Sequence, residues 1–152
     1  MKQRFYFDTS VFGGVYDTEF EEETHQLFER VKLGKIVCVY SDLCEFELEK
    51  APNKVIQHFL SLDKNQTEFV EITEEINQLA EEYIKEKVVG ETSIDDCRHI
   101  ACATINKVDY LISWNFKHIV NVFRIRGYNS VNIKNGHIQL DIRSPKEIIT
   151  DE

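Results

Sequence analysis

Four oxygen-bearing side chains stand where a parallel α/β sheet would bring them together. Asp8 directly follows the aromatic-rich run Arg4 to Phe7, and Asn115 stands just past Val108 to Ile112. Glu47 lies early in a helix that follows Ile36 to Tyr40, and Asp96 lies near the start of another. In open parallel sheets, ligands bind beyond the carboxyl ends of the strands, where loops and helix N-termini converge. Carboxylates gathered there repel one another, raise one another's pKa and weaken the metal-free fold, so a bound cation is their natural complement. Only oxygen ligands are on offer, which suits Mg²⁺ or Mn²⁺ rather than zinc.

The same residues have simpler uses, and these stay open at this stage. Asp8 ahead of Thr9-Ser10 can form a loop-capping Asx turn. Asp96, three residues after Ser93, has the spacing of an acid that reciprocates a helix N-cap. Glu45, Glu47 and Glu49 alternate along one helix, where a solvated face accounts for two of them. Asn115 is neutral and a weak ligand.

The elements that must position these residues follow from periodicity. Arg4 to Phe7 reads as a buried first strand ending in a loop at Gly13-Gly14. A helix is expected from Thr18, which has capping-box spacing to Glu21, and Gly34 stops it. Ile36 to Tyr40 is a β-branched strand, Ser41 opens the next helix and Pro52 interrupts it. Glu68 to Ile72 suggests a short third strand, and Thr73 caps a long helix that Gly90 ends. Thr92-Ser93 opens a helix to about Asn106, and Val108 to Ile112 is the next strand. Lys117 to Phe123 reads as a short helix and Arg126-Gly127 as a turn. Asn135-Gly136 reads as a hairpin turn, giving a C-terminal strand or hairpin at about 131–142 before Pro145 closes the ordered part. Strands alternating with long helices predict one domain over 1–152, a three-layer α/β/α sandwich with a mainly parallel central sheet.

Composition narrows the function. The chain has 152 residues, 42% hydrophobic, with 10 Phe, 6 Tyr and 1 Trp, enough for a core of its own. The longest apolar runs fall far short of a membrane span, so a cytoplasmic protein with no membrane partner is expected. Cys38, Cys44, Cys97 and Cys102 match neither zinc nor disulfide spacing and read as reduced core thiols. A formal charge of −9 argues against indiscriminate nucleic-acid binding, which Lys and Arg drive by displacing counterions. Any such substrate must meet a local patch. Lys117, His118, Arg124 and Arg126 form the densest basic stretch, beside Asn115, with Phe123 and Tyr128 as possible base-stacking groups for single-stranded RNA. Ordinary surface charge explains that stretch equally well. His99 reads as a satisfied core histidine, Trp114 as packing, and Glu19, Glu21, Glu22 and Glu23 as a solvated helix face.

Four ordered segments carry a family resemblance: Phe5-Tyr6-Phe7-Asp8-Thr9-Ser10, Ser41-Asp42-Leu43-Cys44-Glu45-Phe46-Glu47-Leu48, Asp95-Asp96-Cys97-Arg98-His99-Ile100-Ala101-Cys102-Ala103 and Tyr110-Leu111-Ile112-Ser113-Trp114-Asn115-Phe116. Together, over roughly residues 4 to 142, they resemble a PIN domain of the VapC-like kind. The resemblance implies a PIN-like sandwich and a Mg²⁺- or Mn²⁺-dependent endoribonuclease. It also implies the toxin half of a toxin–antitoxin pair, with RNA as substrate, an antitoxin partner and homodimeric assembly. Asp8, Glu47 and Asp96 match the family's first three acids and become metal ligands. Asn115 replaces the usual fourth Asp, which removes one charge and puts a second metal ion in question. In the implied hydrolysis Asp8 and Asp96 hold the ion, Glu47 positions or deprotonates water, and Asn115 bonds a metal water or phosphate oxygen. Thr9 or Ser10 orients Asp8, with Ser113 in the same supporting layer. A catalytically weak PIN-like module that binds protein or RNA is the alternative. A haloacid-dehalogenase-type phosphatase is set aside because Ser10 stands where that chemistry expects a second Asp.

Overall fold

The computed structural model describes residues 2–150, so residues 1, 151 and 152 of the expected domain lie outside the described part. In chain order the elements are β1 (Gln3–Phe7), α1 (Thr9–Gly14), α2 (Glu21–Lys32), β2 (Ile36–Ser41), α3 (Asp42–Leu48), α4 (Asn53–Leu60) and β3 (Thr67–Val70). They continue with α5 (Glu74–Lys85), α6 (Ile94–Ile105), β4 (Tyr110–Ile112), α7 (Val122–Lys134), β5 (Ile142–Arg143) and α8 (Pro145–Thr150). Short 3-10 turns lie at Lys64–Gln66 and Glu91–Ser93. The sheet order is β3-β2-β1-β4-β5, and every neighbouring pair is parallel. A mainly parallel sheet was expected, and this one is wholly parallel.

Successive strand residues point to opposite faces, so a strand buried on both sides must be apolar at both phases of the pleat. Phe5 and Phe7 of β1, Cys38 of β2 and Ile112 of β4 pack on one face with Phe12, Leu27, Phe28, Val55 and Ile148. Tyr6, Val39 and Leu111 pack on the other with Ile76, Leu79, Tyr83, Ile100 and Tyr128. Helices α1, α2, α4 and α8 therefore form one outer layer and α5, α6 and α7 the other. Each fully buried Leu, Ile or Phe side chain stabilises the fold by about 1.5–3 kcal/mol.

Side-chain caps set several helix starts. Ser41 accepts from Cys44 N, Thr73 from Ile76 N, and Asn121 from Phe123 N and Arg124 N. After α2, Gly34 takes φ +75°, a backbone state that glycine reaches without penalty. The register of β1 on β4 pairs Phe7 with Ile112, so Asp8 and Ser113 leave adjacent strands side by side at the carboxyl rim.

Several expected elements differ from the structure. The Asn135-Gly136 signal is a helix end rather than a hairpin: α7 runs to Lys134, Gly136 takes φ +80°, and His137 N and Gly136 N donate to Asn132 O and Ile133 O. This is a Schellman cap, which needs the same positive φ as a hairpin turn. Only the parallel strand β5 remains of the expected hairpin. The expected turn at Arg126-Gly127 lies inside α7, where an added Cβ on Gly127 would come within 2.8 Å of Val88 Cγ1. That glycine permits close packing. Thr18 does not cap α2; Asp17 makes the preceding turn, accepting from Glu19 N through Oδ1 and from Glu21 N through its carbonyl. The loop expected after β1 is the helix α1, the helix capped by Thr73 ends at Lys85 rather than Gly90, and α8 continues beyond Pro145.

Candidate active site

Asp8 is the most deeply set of the four residues, 4% exposed at the end of β1. It makes no side-chain cap of α1, so the Asx-turn alternative falls away. Instead Ser10 Oγ donates to Asp8 Oδ1 at 2.5 Å and Ser113 Oγ donates to Oδ2 at 2.8 Å. Those hydroxyls are fixed in turn, because Ser10 Oγ accepts from Trp114 N and Ser113 Oγ from Asn115 N. Burial nevertheless pushes the Asp8 carboxyl above its ordinary value, with Asp96 adding to the rise, and His99 and the two serines only partly oppose it.

Asp96 sits in the first turn of α6, half-buried. Ser93 caps nothing with its side chain, so Asp96 is free of the capping-box role. Asn115 Nδ2 donates to Asp96 Oδ1 at 3.4 Å. Burial raises the Asp96 carboxyl too, Glu47 and Asp95 adding to the effect while His99 and His118 counter it. Its neighbour Asp95 faces outward and pairs with Arg98 at 2.6 Å.

On α3, Glu45 and Glu49 are four apart and exposed, whereas Glu47 points inward and is half-buried. Thr9 Oγ1 donates to Glu47 Oε1 at 2.5 Å, so Thr9 orients Glu47 rather than Asp8. His99 Nε2 lies 2.7 Å from the same oxygen. Burial works against ionisation of Glu47, but its contacts with His99 and Thr9 prevail and hold the carboxyl below its ordinary value. For His99 burial disfavours the charge as well, yet Cys44, Glu47 and Asp8 push the imidazole well above its ordinary value. Three carboxyl groups therefore face one imidazole in a partly desolvated pocket.

No Lys or Arg ion pair reaches Asp8, Glu47 or Asp96 among the described residues. Nor do three His, Cys, Asp or Glu side chains among them stand already arranged around one ion position. The donor chemistry still suits a hard dication. Mg²⁺ keeps several waters and commonly uses only one or two carboxylates. Asp8 and Asp96 supply two, both raised chiefly by burial, with Asp96 adding to the rise at Asp8 and Glu47 and Asp95 to that at Asp96.

The basic residues divide. Lys117 and His118 adjoin the site, their backbone amides donating to Asn115 Oδ1 at 3.2 and 3.0 Å. Arg124 is turned to the Val88 carbonyl. Arg126 is exposed on α7, with Phe123 80% exposed nearby in sequence. Tyr128 is fully buried and bonds the His118 carbonyl, which removes it as a stacking surface. Trp114 is packing: it stacks on Phe20 at 4.1 Å and donates to Thr24 Oγ1. His99 is a core histidine with both ring nitrogens engaged, Nδ1 lying 2.7 Å from Tyr6 Oη. Its link to Glu47 was missed from sequence, although its place one turn after Asp96 was a usable signal.

No protein-family model and no curated protein matches the chain. Solved structures do. A toxin–antitoxin complex from Klebsiella pneumoniae aligns with TM-score 0.55 at 18% identity, covering 74% of this chain and 87% of the other. VapBC2 from Rickettsia felis, bound to a DNA fragment from its promoter, aligns with TM-score 0.55 at 13% identity over 93% and 98% of the two chains. VapC20 from Mycobacterium tuberculosis, a toxin that cleaves the sarcin–ricin loop, aligns with TM-score 0.56 at 14% identity over 74% and 92%. The chain thus has the three-layer PIN-like fold of VapC-type structures.

Proposed function

We propose that this protein is a divalent-metal-dependent endoribonuclease of the PIN/VapC kind and the toxin of a toxin–antitoxin pair. One observation carries the reading: Asp8, Glu47 and Asp96 gather around His99 at the carboxyl rim of a PIN-like sheet, with no Lys or Arg among the described residues paired to them. The similarity in fold to a sarcin–ricin-loop-cleaving toxin supports it. Asp8 and Asp96 would hold Mg²⁺ or Mn²⁺. When bound, such an ion lowers the pKa of water and offsets charge growing on a phosphoryl oxygen.

The chain's own groups do the rest. Glu47 is ionised at neutral pH, and no hydrogen bond from the described residues reaches its Oε2, so that oxygen accepts the proton of the attacking water. Asn115 Nδ2 steadies Asp96, and Ser10 and Ser113 hold Asp8 at one orientation. Lys117 and His118 meet the RNA backbone beside Asn115; Arg126 extends that contact along α7, and Arg124 serves the fold through Val88. An antitoxin Arg or Lys entering the carboxylate cluster substitutes for the metal's charge. The protein acts in the cytoplasm as a homodimer; no described helix is long and apolar enough to cross a membrane.

The deciding experiment compares cleavage of a labelled RNA in Mg²⁺ and in EDTA for the native chain, Asp8→Asn and Asp96→Asn. Cleavage in Mg²⁺ that EDTA abolishes and both substitutions reduce at least about 10²-fold supports the proposal. Cleavage unchanged in both variants overturns it. One observation favours the alternative of a binding module: Asn115 is committed at both ends of its amide, to Asp96 and to the Lys117 and His118 backbone. RNA binding without turnover under any divalent ion would select that reading.

A further inference from the structure

Resting on the nuclease reading above, we propose that His99 is the positioning residue for Glu47, held by a buried chain that runs from Ser41 through Tyr6. His99 is 2% exposed. Its Nε2 lies 2.7 Å from Glu47 Oε1, its Nδ1 lies 2.7 Å from Tyr6 Oη, and Tyr6 Oη lies 2.7 Å from Ser41 Oγ. These residues come from α6, α3, β1 and the end of β2, so the chain ties the helix that carries Glu47 to the centre of the sheet. Tyr6 is fully buried and cannot swing away.

The consequence lies in which oxygen is used. His99 and Thr9 both bond Oε1, which leaves Oε2 as the oxygen for water. Glu47 sits on a helix of only seven residues with its side chain 30% exposed, where an untethered carboxylate would sample several rotamers. Two bonds to one oxygen select one of them. A base displaced by about 1 Å costs on the order of 10²-fold in rate. A purely structural histidine would satisfy Tyr6 and contribute stability without affecting turnover.

The test uses the full chain, with folding of each variant checked by its melting temperature. His99→Gln keeps an amide donor near the Nε2 position, whereas His99→Asn keeps one only near Nδ1, toward Tyr6. His99→Asn is expected to lower kcat about 10²-fold with KM nearly unchanged, and His99→Gln to recover most of it. Tyr6→Phe, which removes the far anchor without changing shape, is expected to lower kcat by a smaller factor. Native kcat in His99→Asn, or equal losses in the Asn and Gln variants that track their folded fraction, overturns the proposal. A second readout needs no activity and separates this claim from the nuclease reading. The metal-free chain should show a protected downfield imidazole N–H resonance of His99 that Glu47→Ala shifts or abolishes. An absent or unaffected resonance overturns the positioning role, even where RNA is cleaved; a shifted one supports it, even where RNA is left intact.

Discussion

Replacing Asp8 with Asn should make the metal-free protein more stable while removing its response to Mg²⁺. Asp8 accepts two serine hydroxyls at 2.5 and 2.8 Å. A hydrogen bond to a charged acceptor contributes about 1.5–3 kcal/mol and one to a neutral acceptor about 0.5–1.5, so losing the charge costs about 2 kcal/mol over both bonds. Against this stands the cost of a buried ion with no Lys or Arg partner among the described residues and only His99 to offset it, which for buried groups is several kcal/mol. The raised Asp8 pKa decides the sign, because burial outweighs both serines and His99. The net gain at neutral pH in EDTA is about 1 kcal/mol, or about 2–4 °C in Tm for a domain of this size. With Mg²⁺ at 100 times its Kd, the native chain should gain about 2.7 kcal/mol, which the variant loses. Melts followed by circular dichroism, in EDTA and in a Mg²⁺ series, read both effects. An Asn variant that melts below the native chain in EDTA, or that keeps its Mg²⁺ shift, would refute the reasoning.

The remaining predictions concern charge, packing and thiols. Asp8 and Asp96 ionise less readily folded than unfolded, so each costs the folded state stability above its folded pKa, and that cost disappears as pH falls through it toward the ordinary 3.8. His99 acts in the same direction, its contribution complete below the ordinary 6.5 and lost as pH rises through its raised pKa. Glu47 opposes them only below its ordinary 4.5, where its stabilisation is lost. Through His99 the metal-free chain should therefore melt higher at about pH 5.5 than at about pH 8, and His99→Gln should flatten that profile. Gly14→Ala places a Cβ 2.7 Å from Thr24 Oγ1 and 2.8 Å from Trp114 Nε1, across their hydrogen bond, and should cost about 1–3 kcal/mol in urea unfolding. Leu111→Ala, in the fully buried centre of β4, should cost about 2–5 kcal/mol by the same measurement. Cys38, Cys44, Cys97 and Cys102 are all buried, and burial pushes Cys97 and Cys102 up to about 12. A bulky disulfide reagent should leave the native chain unmodified and titrate its thiols only after unfolding.

The strands were legible because their requirement is local. Phe5, Tyr6 and Phe7 are apolar at both phases of the pleat, as are Cys38 and Val39, and only a sheet covered on both faces buries such runs. The order of Asp8, Glu47, Asp96 and Asn115 along the chain followed from where those strands end. Helix α7 was misread because Asn135-Gly136 announces a positive φ, and that backbone state serves a hairpin and a Schellman cap alike. At Gly127 the backbone of α7 runs close to Val88, and nothing near Gly127 in sequence encodes that approach. The partners of the acids were equally hidden. Thr9 reaches Glu47 across 38 positions, His99 reaches it across 52, and Ser113 reaches Asp8 across 105. Periodicity and capping report which face of an element is buried, over one or two turns. Which hydroxyl or imidazole meets which carboxylate depends on how three layers are stacked, and that is fixed only once the sheet and its helices have closed on one another.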